Sequence, residues 1–171
     1  MSEKNIMEKL YETAFINEQN NGGCAQCTLS SINEHIAPIS NDIFTAATAL
    51  AGGGAASGNI CGACSGGILA IGTFIGRNYE EFATTEGNDK KNLATMTSRK
   101  LLAKFEEEFG GFLCSEIQEK LYGKSYKMYI PEEKAEFLDN GGHGDKGCTM
   151  VCGKAAVWIY EILKEEGLIE G

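Results

Sequence analysis

Runs of positive charge and the apolar core of a signal peptide are both missing from this sequence. Its 171 residues carry 15 Lys and Arg against 24 Asp and Glu, so the formal net charge is −9, and no basic run occurs. We therefore expect neither nucleic acid nor an anionic membrane surface as a partner. The first residues, MSEKNIMEKLYE, are charged from position 3. Because a signal peptide needs an apolar core, we predict a cytoplasmic protein.

Charge is also absent from the middle of the chain. No charged residue lies between Ile43 and Gly76, although 23% of all residues are charged. Glycines divide this stretch into pieces of about nine and 17 residues, whereas a membrane-spanning helix needs about 20 apolar residues. The segment from Cys61 to about Phe74 is apolar nearly all round, which is typical of a buried helix. We therefore predict a central buried helix and no membrane span.

Short helical patterns separated by glycines account for most of the chain. Apolar periodicity and capping signals predict eight helices, at residues 3–18, 24–37, 41–50, 61–74, 89–109, 114–122, 131–138 and 148–163. Leu93, Met96, Leu101, Leu102 and Phe105 are the predicted buried side of the fifth. Residues 125–130 have strand-like character but are too isolated to form a sheet. We predict one all-α domain over residues 1–171, a compact multi-helix bundle with glycine-rich hinges around the central helix.

Small residues recur along the central helix in a way that has two interpretations. Gly58, Gly62, Gly66 and Ala70 are spaced four apart, and each glycine inside a helix costs roughly 0.5–1 kcal/mol relative to alanine. Such a ridge lets a neighbouring helix approach closely. It also leaves room beside Cys61 for something larger than a side chain. On the second interpretation, Gly62 and Gly66 line a cofactor.

Seven cysteines are the main chemical signal, because reduced thiols in a cytoplasmic protein favour metal or redox chemistry. Four of them follow glycines closely, at or near predicted helix N-termini: Cys24, Cys61, Cys114 and Cys148. Free N–H groups and the helix dipole favour an anion there, which lowers the pKa of a thiol. Four helix starts can converge on one anionic site, as a 2Fe-2S or 4Fe-4S cluster bound by four cysteines requires.

Two other chemistries fit the same cysteines and stay open. The pairs Cys24-x2-Cys27 and Cys61-x2-Cys64 suggest a zinc-stapled interaction module, although the 33-residue gap between them exceeds the usual 12–20. Cys61 with Cys64 alone would serve a metal-free thiol/disulfide oxidoreductase, although no βαβ context surrounds the pair.

The remaining cysteines and both histidines give weaker signals. Cys27 and Cys64, one helical turn after their partners, are either packing residues or additional ligands, and mid-helix Cys152 is expected mainly to pack. His35 is expected to be solvated, and His143 to have a role in its glycine-rich loop instead of binding a metal.

Taken in order, the cysteine segments resemble the C_GCAxxG_C_C family of redox-active proteins. The matching residues are Cys24-Ala25-Gln26, Gly52-Gly53-Gly54 followed by Cys61-Gly62-Ala63-Cys64-Ser65-Gly66-Gly67, Cys114 with Glu116 and Ile117, and Cys148 with Ala155-Ala156. The central signature here is C-G-A-x-x-G, a different letter order from that in the family name, and Cys27, Cys64 and Cys152 are additional to the usual pattern.

The family is also similar to a domain of split-Soret cytochromes, which are helical homodimers. The resemblance therefore implies an iron–sulfur centre on Cys24, Cys61, Cys114 and Cys148, used for electron transfer or redox sensing. It further implies a redox partner protein and a candidate homodimer. No CxxCH occurs, so covalent haem is not expected.

Overall fold

A computed structural model describes residues 3–170 as a helical bundle. Its eight α-helices are α1 (Glu3–Asn21), α2 (Cys24–His35), α3 (Asn41–Ala46), α4 (Gly62–Ile75), α5 (Thr85–Phe109), α6 (Cys114–Tyr122), α7 (Pro131–Asp139) and α8 (Cys148–Glu165). A 3-10 turn, Ala47–Leu50, follows α3. Within the described range, extended pairing is limited to one isolated bridge between Ile60 and Leu113. The predicted all-α class is confirmed.

Helix α4 lies at the centre of the bundle, as its uncharged sequence predicts. It packs against α2, α5 and α8, while α1 packs across α8 and α2. Ala63, Ala70 and Ile71 of α4 are fully buried. A methyl group added to Gly66 would lie 2.5 Å from the carbonyl oxygen of Ala25, so the backbones of α4 and α2 meet here. The first interpretation of the glycine ridge therefore holds at this position.

The N-terminus of α5 corrects one sequence prediction. The helix begins at Thr85, ahead of the predicted start at residue 89, because the side chain of Thr84 accepts a hydrogen bond from Gly87 N at 2.9 Å. Gly87, which lies before the predicted start, is buried within the first turn of the helix. A side chain there would overlap the carbonyl oxygen of Glu81, so glycine is required by the close approach of the preceding turn.

The predicted buried side of α5 is wrong for two of its five residues. Leu101, Leu102 and Phe105 are buried, but Leu93 and Met96 are 49% and 66% exposed, because the N-terminal half of the helix does not reach the core. Residues 125–130 form a turn and irregular backbone with no strand. No helix in the described part of the chain combines the length and apolar character that crossing a membrane would require.

Helix α7 is held by a small aromatic cluster outside the main core. Phe137 is 1% exposed, and its ring centroid lies 5.4 Å from that of Tyr122, 5.7 Å from Tyr126 and 5.9 Å from His143. Edge-to-face contacts of this kind add to the apolar burial of each ring. This cluster fixes α7 and the loop before α8 at the end of the bundle where the cysteine-bearing helices begin.

Candidate metal centre

Four cysteines stand at the N-termini of four different helices. Cys24, Cys114 and Cys148 are the first residues of α2, α6 and α8, and Cys61 is the N-cap of α4. The predicted helix-start positions are confirmed for all four, which we refer to as the helix-start cysteines. Backbone N–H groups at a helix start have no partner within the helix, so they are free to point at sulfur.

Backbone pairing holds two of these helix starts side by side. Cys61 N donates to Phe112 O at 2.9 Å, and Cys114 N donates to Asn59 O at 2.6 Å. These bonds flank the isolated Ile60–Leu113 bridge, so the first turns of α4 and α6 have a fixed register. The start of α8 is fixed separately, because Cys148 N donates to Gly142 O at 2.9 Å.

The glycine-rich segment before α4 forms a compact loop that closes one side of the site. Gly52, Gly53 and Gly54 have φ values of 64°, 83° and 79°, and a methyl group added to Gly53 would lie 2.4 Å from Asn59 N. Only glycine tolerates both the positive φ and this approach without strain. Gly58 N donates to Gly52 O at 2.9 Å and closes the loop, which places the Gly52 N–H toward the sulfur of Cys24.

A cavity of about 300 Å³ lies where these elements meet. Its wall includes the four helix-start cysteines together with Cys152 and Glu18. Gly52, Gln118, Phe137 and His143 also line it. The helix starts thus converge on one space although they lie far apart in sequence. Among the described residues, no group of three His, Cys, Asp or Glu side chains is arranged to hold a single metal ion.

The three additional cysteines occupy different environments. Cys152 is fully buried and lines the cavity, so the expectation that it mainly packs describes only part of its position. Cys27 lies outside the cavity wall and donates its thiol hydrogen to Gly22 O at 3.1 Å. Cys64 is also fully buried, within the apolar core.

The two ridge glycines proposed as cofactor-lining residues lie behind the cavity wall. Neither Gly62 nor Gly66 belongs to the lining. A methyl group added to Gly62 would lie 2.2 Å from the sulfur of Cys24, so this glycine gives space to a cysteine that does line the cavity. Gly66 contacts the backbone of Ala25 instead.

Burial dominates the acidity of the thiols. It raises the pKa of Cys114 to about 12 and raises that of Cys24, Cys61 and Cys148 further, with neighbouring thiols adding to the effect. N–H groups of Ala63 and Cys64 do hydrogen-bond Cys61 and lower its pKa, as the helix-start argument predicts, but burial outweighs them. A bound cation would reverse this balance, because a coordinating thiol is deprotonated by the metal.

Glu18 is a cavity residue that the sequence analysis missed. It follows Leu10 and Ala14 at four-residue intervals on the buried stripe of α1 and is only 3% exposed. Its Oε1 lies 3.5 Å from His143 Nε2. Burial raises the pKa of Glu18 to about 7 and lowers the pKa of His143, so the two side chains do not form an ion pair at neutral pH. The signal in the sequence is a glutamate whose four-residue spacing continues the apolar stripe of the helix.

Gln118 supports Cys114 from one helical turn away. Its amide Nε2 donates to Cys114 Sγ at 3.6 Å, and its Oε1 accepts from Tyr126 N at 2.7 Å. The side chain is therefore fixed at both ends. Hydrogen bonds of this kind orient a ligand and tune the metal that it binds.

The environments of the two histidines differ from those expected from the sequence. His143 lies in its predicted loop but also lines the cavity. The prediction that His35 is solvated is wrong, because its ring is half-buried and its Nε2 shares a hydrogen bond of 2.8 Å with Thr13 Oγ1.

The chain matches one known protein family over most of its length. The family model described as "Putative redox-active protein (C_GCAxxG_C_C)" matches residues 23–162, a range that contains all seven cysteines. No curated protein and no solved structure matches the chain.

Proposed function

The chain belongs to the C_GCAxxG_C_C family of redox-active proteins, and from this premise we propose that it binds an iron–sulfur cluster for electron transfer or redox sensing. The helix-start cysteines are the proposed ligands. One observation carries the proposal: these four thiols, from four separate helix starts, line a single cavity of about 300 Å³. A redox partner protein would exchange electrons with the cluster.

The donor set and the space both suit a cluster. Iron–sulfur clusters are held by cysteine thiolates, four for either the two-iron or the four-iron type. A single zinc ion draws its sulfur ligands to about 2.3 Å, and a shell of that size is much smaller than this cavity. The wall also contains a buried carboxylate oxygen of Glu18 without a hydrogen-bond partner, which is a further sign of a cationic occupant. These features favour a cluster over the zinc alternative.

The surrounding protein would govern how such a group behaves. A bound cluster supplies one-electron transfer, and its reduction potential depends on hydrogen bonds to sulfur and on burial. Here the N–H groups of Gly52, Ala63 and Cys64 point at helix-start sulfurs, and Gln118 donates to Cys114. Phe137 and the rest of α7 cover part of the site against water.

The metal-free oxidoreductase is disfavoured by the same geometry. An attacking cysteine must be accessible and present as a thiolate at neutral pH. Cys61 is 7% exposed and Cys64 is fully buried, and burial raises the pKa of Cys64 to about 12. Neither thiol has the surroundings of a catalytic nucleophile.

Metal analysis of protein purified without oxygen tests the proposal. We expect brown protein with iron and sulfide in similar amounts and little zinc. Serine at any helix-start cysteine should remove most of the iron. Cys64→Ala is the matched control, because Cys64 lies in the core outside the cavity wall. The Cys64→Ala protein should keep its iron even if the substitution lowers the free energy of unfolding.

Colourless protein that contains zinc or no metal would contradict the cluster. Equal iron loss in the Cys64→Ala control would contradict the assigned ligand set.

A further inference from the structure

The side chain of Glu18 is only partly accounted for by its neighbours. It is 97% buried, it lines the cavity, and its Oε2 accepts no hydrogen bond from any described residue. The position continues the apolar stripe of Leu10 and Ala14, where an apolar side chain would pack at no electrostatic cost. Buried charged groups in proteins are paired or coordinate metals.

None of the neighbouring groups supplies the missing partner. His143 Nε2 lies 3.5 Å from Oε1, which is longer than a usual N–H···O hydrogen bond, and it leaves Oε2 without a partner. The thiols of Cys27 and Cys152 lie beside the carboxyl group and lower its pKa, but by less than burial raises it, and they donate to Gly22 O at 3.1 Å and Cys24 O at 3.7 Å. Lys134 also lines the cavity, but it is exposed and makes no ion pair with Glu18 among the described residues.

The backbone brings this carboxyl group to the same wall as the first helix-start cysteine. Gly22 N donates to Glu18 O at 3.1 Å at the end of α1, and the left-handed turn through Gly22 and Gly23 leads directly into Cys24. One short turn therefore presents a carboxylate from α1 and a thiol from α2 to the same space.

We propose that Glu18 is a fifth protein ligand of the metal group in this cavity, an oxygen donor that binds iron through Oε2 in addition to the four thiolates of the helix-start cysteines. This inference rests on the proposed function, because it takes bound iron as given. Carboxylate oxygen is a harder donor than thiolate sulfur, so the iron that it binds differs electronically from iron bound by sulfur alone. The site is then a mixed sulfur and oxygen site with one distinct iron.

Mössbauer spectroscopy of protein loaded with ⁵⁷Fe tests this directly. The wild-type spectrum should contain an iron subsite with a higher isomer shift than the sulfur-bound irons. Glu18→Gln keeps the size and polarity of the side chain but removes the anionic oxygen, so this subsite should disappear. Iron affinity should fall at least by the roughly 10–100-fold that follows loss of a residue supporting a metal ligand. Glu18→Asp, which keeps the carboxylate, should retain part of the subsite.

Two controls separate ligation from a structural role. Glu12→Gln removes the same charge from an exposed position on α1 and should leave the spectrum unchanged. In metal-free protein, Glu18→Gln should raise the melting temperature, because an unpartnered buried carboxyl group is gone. A purely structural Glu18 would give a lower melting temperature instead, and that result would overturn the inference.

The outcomes for the two proposals are distinguishable. Wild-type protein with iron and sulfide but only sulfur-bound iron overturns the role of Glu18 and leaves the cluster intact, whether or not any variant folds. A Glu18→Gln spectrum identical to that of the wild type also overturns the role of Glu18 and leaves the cluster intact. Wild-type protein without iron overturns the proposed function, and the role of Glu18 with it.

Discussion

Replacing Gly62 with alanine should disturb one proposed ligand while leaving the bundle folded. A methyl group at this position would lie 2.2 Å from Cys24 Sγ, 3.0 Å from Leu50 O and 3.3 Å from Ala25 N. The sulfur is the end of a side chain and can rotate, whereas the two backbone atoms cannot move independently of their elements. We therefore expect the overlap to be relieved mainly by displacement of the Cys24 thiol.

The expected loss of stability is moderate. Overpacking a well-packed interior typically costs about 1–3 kcal/mol. Alanine in place of glycine within a helix recovers roughly 0.5–1 kcal/mol. The free energy of unfolding should therefore fall by up to about 2.5 kcal/mol, which lowers the melting temperature of a chain of this size by up to roughly 10 °C. Iron content per folded molecule should fall more steeply, because the displaced atom is a proposed ligand.

Two further glycines of α4 provide matched comparisons. A methyl group on Gly66 would lie 2.5 Å from Ala25 O and 3.0 Å from Ala25 Cα, so Gly66→Ala should destabilise at least as much while iron per folded molecule stays normal. No atom lies within 4 Å of a methyl group added to Gly72. Gly72→Ala should therefore stabilise the protein by about 0.4–1 kcal/mol.

The assay combines urea unfolding of metal-free protein with iron analysis of the folded fraction recovered by anaerobic gel filtration. We expect opposite rankings: Gly66→Ala has the largest loss of stability, and Gly62→Ala has the largest loss of iron. If Gly62→Ala matches Gly72→Ala in both measurements, the assignment of Gly62 as a spacer for Cys24 is refuted.

Two other predictions follow from the buried titrating groups. Cys61 and Cys64 should both be alkylated slowly at neutral pH in untreated protein. Chelation should accelerate the alkylation of Cys61, which lines the cavity, more than that of Cys64, which is fully buried. Rapid labelling of either thiol before chelation, located by mass spectrometry, would favour a thiol enzyme. In metal-free protein, burial raises the pKa of Glu18 from 4.5 to about 7, so the folded state holds a proton that the unfolded state loses. Stability should then fall by about 3 kcal/mol as pH rises through that window, since one unit of pKa corresponds to about 1.36 kcal/mol, and Glu18→Gln should remove this slope from urea unfolding curves.

The helix boundaries that the sequence predicts well are those with a local physical cause. Glycine with positive φ directly before Cys24, and Pro131 at the first turn of α7, each fix a boundary through the conformations open to one residue. The predicted start of α5 is wrong because glycine usually marks the end of a helix or a loop, whereas Gly87 lies inside the helix. It continues a helix where the turn before it leaves no room for a side chain.

The composition of the candidate site was only partly predictable. The placement of four cysteines at helix starts follows from local signals, but their convergence depends on how α2, α4, α6 and α8 pack. The sequence does not indicate Glu18, because apolar residues define the stripe of α1 and a glutamate near a helix end is usually solvated. Leu93 and Met96 were predicted to be buried but are exposed, because apolar spacing indicates a helix face and does not indicate whether a neighbouring element covers it.

The glycine ridge of α4 gives space to two different neighbours, at different positions along one helix. At Gly66 the space is taken by the backbone of α2, and one turn earlier, at Gly62, it is taken by the sulfur of Cys24. Both contacts are with α2, so the distance between the two helices and the position of this sulfur are set by the same packing. A shift of α4 against α2 must therefore move Cys24 relative to Cys61, which caps α4 itself. The core of the bundle thus fixes the separation of two proposed ligands.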